Sequence, residues 1–181
     1  ITINYIVAFI MTSITYDKPV LDAFGTMTQP LLISSLWVGF LFILSFILMS
    51  FSTVNAGIGI TTALNKMAVV IPVLVGVFYL GQRDNIILKT TGIFLAIISF
   101  ILILFKENES RIKLKSLLLP LSVFLVSGLI DTSMEVVNHK FVNTGNPQEL
   151  FLMGIFATAA LLGVGTVIYD LMINRSHMKL N

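Results

Sequence analysis

Lys66 is the residue that asks most of its surroundings. It lies inside TVNAGIGITTALNKMAVVIPVLVGVFYL, residues 53–80, a run apolar enough to cross a bilayer. At 1.5 Å per residue it stands roughly 16 Å in from Asn55, near the middle of a hydrocarbon slab about 30 Å thick. An ammonium at that depth costs about 2.5–3.5 kcal/mol on insertion scales, so it must face a cavity, a neighbouring helix or a ligand. Two readings compete: a ligand for a substrate carboxylate or other anion, and a structural lysine satisfied by carbonyls or a carboxylate. Mid-bilayer depth favours the first. Asn65, Thr61 and Thr62 flank the lysine and suit a polar substrate, or hydrogen bonds to another helix. Six residues on, Pro72 lacks the N–H that the Ala68 carbonyl would accept, which loosens the helix beside the charge.

A second group of polar residues sits at 127–139. Ser127, Asp131, Glu135 and His139 recur every four residues and share a helix face, with Asn138 beside them. Asp131 is about 21 Å from Leu117. If residues 55 and 117 begin on the same membrane side, Asp131 and Lys66 reach similar depth and can neutralise one another. Asp131 is the candidate for a carboxylate that exchanges a proton for substrate, and Glu135, nearer the helix end, is the weaker one. No catalytic constellation emerges. The two histidines, His139 and His177, lie far apart, and neither a nucleophile–base pair, a metal-ligand spacing nor a phosphate-cradling loop is present. No metal and no cofactor are implied.

The elements that hold these residues follow from composition. Hydrophobic residues make up 56% of the chain and charged residues 11%, less than half the share of a soluble domain. Mean hydropathy is +0.98, and the apolar residues fall in long runs rather than in alternating segments of about ten, which excludes a transmembrane barrel. The expected class is all-α, a polytopic transmembrane bundle. Without cysteine there is no disulfide framework. The net charge of +2 is carried in loops, which gives nucleic acid nothing to bind.

In chain order, residues 1–14 are apolar but too short to span. Residues 15–29 hold Asp17, Lys18, Pro19, Asp22 and Gly25 and read as loop. Pro30 opens a helix over residues 31–51, with Ser35 and Gly39 as a close-packing seam. A very short connection leads to the Lys66 helix, and residues 81–85 form the next turn. Residues 86–105 span again, with Gly92, Ala96 and Ser99 as another seam. The charged linker 106–115 separates two halves. Residues 117–137 follow, then a helix start at Asn146-Pro147-Gln148-Glu149 and a last span over 151–173, rich in Gly154, Ala157 and Gly163. The pattern predicts five full crossings and one partial one, and it reads as part of a longer protein.

Several of these stretches resemble a known family. Ala63-Leu64-Asn65-Lys66, Ile71-Pro72-Val73, Tyr79-Leu80-Gly81-Gln82 and Lys89-Thr90-Thr91-Gly92-Ile93 are similar to the fourth and fifth helices of EamA-like transporters, in the drug/metabolite transporter superfamily. That family usually has Glu where Gln82 stands. Residues 62–66 also look like a GALNK motif of nucleotide-sugar transporters, with Thr for Gly. The resemblance implies ten helices arranged as two five-helix repeats of inverted topology. Residues 1–105 would be a first repeat lacking its first helix, 106–115 the linker, and 116–181 the start of the second repeat.

The function it implies is secondary transport in the inner membrane, with export of a small polar metabolite or drug by alternating access and coupling to protons. The site would include Lys66, Asn65, Thr62 and Asp131, with the lipid bilayer and a small-molecule substrate as partners and a homodimer left open. The alternative is a non-transporting membrane subunit that partners a lipid- or envelope-modifying enzyme. Basic residues favour a cytoplasmic linker, whereas the ten-helix template with its N-terminus inside puts that linker outside, and the two stand unresolved.

Overall fold

Backbone chemistry at a handful of positions decides where the helices stop. The computed structural model describes residues 2–16, 19–81, 85–107, 117–142 and 147–174, and every element among them is helical. In order they are α1 (Thr2–Thr15), α2 (Val20–Thr26), α3 (Gln29–Ala56), α4 (Ile58–Met67), α5 (Val70–Phe78), α6 (Ile86–Glu107), α7 (Leu118–Val137) and α8 (Gln148–Asn174). Four stretches are long and apolar enough to cross a membrane: Gln29–Ala56, Ile58–Phe78, Leu118–Val142 and Gln148–Tyr169. With large apolar side chains such as Phe40, Phe94, Leu102, Leu125 and Leu161 left exposed on these helices and on α6, this is a membrane protein whose outer surface suits lipid.

Three expectations change. Residues 15–29 are not all loop, because Val20–Thr26 forms α2. Pro19 fixes φ at −55° and its carbonyl accepts the Ala23 N–H at 3.0 Å, while Ala23 is fully buried. Helix α3 runs to Ala56 rather than ending near residue 51. Its late polar residues are satisfied locally, Thr53 Oγ1 donating to the Met49 carbonyl at 2.8 Å, and the turn waits for Gly57 at φ 89°. Across that turn the buried hydroxyls of Ser52 and Thr61 meet at 2.7 Å and join α3 to α4. The third change concerns Gly92. No atom comes within 4 Å of the place its Cβ would occupy, so it is not a packing contact among the described residues.

The chain packs as two units, residues 1–43 with 141–181, and residues 44–140. In the first, α1 and α2 lie against α8. The Ser35 and Gly39 seam meets α8 as its spacing predicts. A Cβ on Gly39 would sit 2.6 Å from Thr158 Cβ and 2.8 Å from the Ile155 carbonyl oxygen, and one on Gly154 would sit 2.6 Å from Ser35 Oγ. Lipid gives no hydrophobic drive for helix pairing, so this backbone proximity supplies the attraction. Phe151, Leu31, Met153 and Val38 fill the space around it.

In the second unit the α4–α5 segment touches both α6 and α7. It is interrupted at Ala68–Val69, as the proline predicts. With no N–H at Pro72, the Ala68 carbonyl accepts from Ile71 at 3.0 Å, and the Ala68 N–H turns to the Asn65 carbonyl at 3.3 Å. Below the break, Ile71 rests on Gly128 of α7 so closely that a Cβ there would overlap it.

Gly39→Ala should destabilise the first unit by roughly 1–3 kcal/mol, because the Ile155 carbonyl is backbone and cannot yield. Gly165→Ala, with nothing within 4 Å of its Cβ, should be neutral or slightly stabilising. Thermal unfolding of the two variants in detergent measures the contrast.

Candidate functional site

The second unit gathers the charged and polar residues that the sequence singled out, in two hollows along α4–α5. The first has a volume of about 500 Å³ and lies between α4 and α6. Gly59, Thr62, Ala63 and Lys66 form one wall and Ala96 and Ser99 the other. Small residues on both helices leave the room that the lysine stem occupies. The Lys66 ammonium is exposed here and has no hydrogen bond or ion pair among the described residues. Thr62 spends its hydroxyl proton on its own helix, donating to the carbonyls of Ile58 at 2.6 Å and Gly59 at 3.1 Å. Its lone pairs remain available to a donor.

The second hollow, about 400 Å³, opens beside the helix break. Val69, Pro72 and Val73 give it an apolar floor, and Asp131, Glu135 and Asn138 of the α7 face line it together with Lys89 from the first turn of α6. Both hollows use α6, first at Ala96 and Ser99 and then at Lys89. Seven residues, about 10 Å of helix, separate Ala96 from Lys89. Asp131 has no hydrogen bond or ion pair among the described residues. Lys66 and Asp131 line different hollows and do not pair with one another. Asn138 Oδ1 is wholly buried with no hydrogen-bond partner, as is Thr132 Oγ1. Buried oxygens of this kind are rare and each asks for a donor.

Lys66 and Thr62 therefore share one hollow, and Asp131, Glu135 and Pro72 share the other. Asn65 belongs to neither. Its Oδ1 accepts a hydrogen bond from Ser127 Oγ at 2.6 Å, and Ser127 also approaches Ser45 Oγ at 3.4 Å. The carboxamide oxygen next to the lysine thus joins α4 to α7. His139 does not continue the acidic face. The helix widens into a π turn over Asn138–Val142, and His139 is exposed there while the Lys140 ammonium lies 5.5 Å from the Tyr79 ring centroid.

Lys89 was not a site candidate on sequence grounds. An antiparallel α5–α6 hairpin brings the start of α6 beside the end of α5, and that topological step was the available signal. Among the described residues no three His, Asp or Glu side chains gather as metal ligands would. No family model, curated protein or solved structure matches this chain.

Asn65→Ala should destabilise the protein by roughly 0.5–1.5 kcal/mol, the range for hydrogen bonds between membrane helices. Adding Ser127→Ala should then cost little more, only its long contact with Ser45, because the bond to Asn65 is already gone. Unfolding of the single and double variants in bilayer discs checks both statements.

Proposed function

We propose that the chain is part of a secondary transporter of the EamA-like kind, multi-pass in the cytoplasmic (inner) membrane. It exports a small polar metabolite or drug by alternating access. One observation carries this reading. Lys66 and Asp131, opposite charges on spanning helices, face hollows and have no hydrogen bond or ion pair among the described residues. A charge kept only for structure is ordinarily matched by a partner, whereas one kept for a ligand must stay available.

The helix break supports the same reading. Interrupted helices near unmatched charges are how transporters combine a site with a pivot. The tighter backbone at Ala68–Val69 lets α5 tilt on α4 at little cost, with Pro72 holding the interruption open. On this reading Lys66 and Thr62 engage the substrate and Asp131, aided by Glu135, exchanges a proton for it. Asn65 keeps the lysine turn fixed on α7. The ten-helix inverted repeat is the template in which two such bundles rock about one site.

These residues include no cysteine. In a full-length protein with any cysteine elsewhere replaced by serine, Thr62→Cys supplies a single thiol in the Lys66 hollow. A membrane-impermeant maleimide should label it from either face of sealed vesicles, because the hollow opens alternately. Labelling from neither face would overturn transport and favour a non-transporting subunit.

A further inference from the structure

We infer that the Lys66 hollow is a docking notch for one anionic membrane lipid, a phosphatidylglycerol, with its phosphate on the Lys66 ammonium. The inference goes beyond the transport reading and uses this hollow alone; in a transporter, the lipid holds the lysine until substrate displaces it. The first ground is depth. Lys66 lies nine residues, about 13 Å, beyond the Gly57 turn. Helical side chains lean toward the N-terminus of their helix, here toward that turn and its membrane face. Gly59, Thr62 and Ala63 of the α4 wall all lie on that side of the lysine, so the stem has a track of about one helical turn along which to snorkel. A cation held in hydrocarbon draws headgroups and water inward and thins the bilayer around it. The notch gives that thinning a fixed place.

The second ground is charge complementarity. Lys66 is the one charged side chain among the residues that line this hollow, and it has no ion pair among the described residues. A lipid of net negative charge answers it with a charge-assisted hydrogen bond. A phosphatidylcholine carries its own ammonium group, for which this lining holds no carboxylate.

The third ground is a pair of hydroxyls. Thr90 and Thr91 of α6 donate to the carbonyl one turn back, but Ser99, on the α6 wall of the hollow, has no hydrogen bond among the described residues. It stands eight residues, about 12 Å, before the end of α6 at Glu107, and the antiparallel run of α4 and α6 therefore brings it to the depth of Lys66. Its O–H is free to donate to a phosphate or ester oxygen. Thr62, its proton already given to Ile58 and Gly59, keeps lone pairs for a donor, which the hydroxyls of a glycerol headgroup supply. A cation, a free donor and an acceptor in one hollow of about 500 Å³ suit a phosphodiester with a hydroxylated headgroup, and the apolar remainder, Ala63, Met67 and Ala96, suits the upper part of a chain.

The experiment titrates the full-length protein in detergent micelles with dioleoylphosphatidylglycerol or dioleoylphosphatidylcholine and counts bound lipids by native mass spectrometry. The first phosphatidylglycerol should bind about fivefold or more tightly than the first phosphatidylcholine, and Lys66→Gln should remove that preference. Ala96→Leu, which keeps the charge and fills the notch, should remove it too. Lys140→Gln, at the Tyr79 end of the unit, should leave it intact, and soluble glycerol 1-phosphate at equal concentration should not displace the lipid. Any of four results overturns the inference: no preference in the unaltered protein, a preference that survives Lys66→Gln or Ala96→Leu, an equal loss in Lys140→Gln, or displacement by glycerol 1-phosphate. These failures are separable from those of the transport reading. Two-faced labelling at Thr62→Cys without lipid preference keeps transport and removes the notch, and labelling from neither face removes transport while the lipid result stands on its own.

Discussion

A charge in hydrocarbon is the constraint from which the second unit follows. Lys66 is on a helix whose other residues are chosen for lipid, and the ammonium cannot stay there without room, water or a counter-charge. The small residues Gly59, Ala63 and Ala96 provide the room. Asp131, the opposite charge on α7, lines the neighbouring hollow. The break at Ala68–Val69 lets the helix redirect its course one turn beyond the lysine, toward the hollow that Asp131 lines. Remove the lysine and an uninterrupted Leu- and Val-rich span would serve the fold better.

The polar contacts divide into those that hold helices and those that remain available. Ser52 with Thr61 closes the Gly57 turn, and Ser127 with Asn65 fixes α4 on α7. Each is a neutral pair, used up in building the unit. The charged and unmatched groups, Lys66, Asp131 and Asn138 Oδ1, lie instead along the hollows. Neutral hydrogen bonds between membrane helices are worth little individually, so rigidity around the charges comes from several of them together with the close seat of Ile71 on Gly128.

The sequence was most informative where a single residue acts alone on the backbone. Pro72 foretold the interruption because a missing N–H cannot be supplied from elsewhere. Ser35 and Gly39 foretold a packing seam because small residues four apart make one strip on a helix. The same logic failed at Gly92, where nothing lies within 4 Å of its Cβ position, although Ala96 and Ser99 of the same strip face α4. Helix α2 was hidden by Pro19, Asp22 and Gly25, which suit a turn and a short helix start equally well; what decides is burial of Ala23, a tertiary fact. In the site, the face shared by Asp131 and Glu135, which line one hollow, was legible from helical periodicity. The allegiance of Asn65 to Ser127, and the entry of Lys89, depend on how helices lie side by side, and no local pattern encodes that.

The central claim is that Lys66 and Asp131 share one electrostatic environment though they do not touch. A double-mutant cycle on unfolding in bilayers, with Lys66→Leu, Asp131→Leu and the pair, measures this directly. Mutual support predicts that each single change strands the opposite charge and that the double variant is more stable than the sum of the two by about 1 kcal/mol or more. Strict additivity would mean that the two charges are independent, and the account of a shared site would fail.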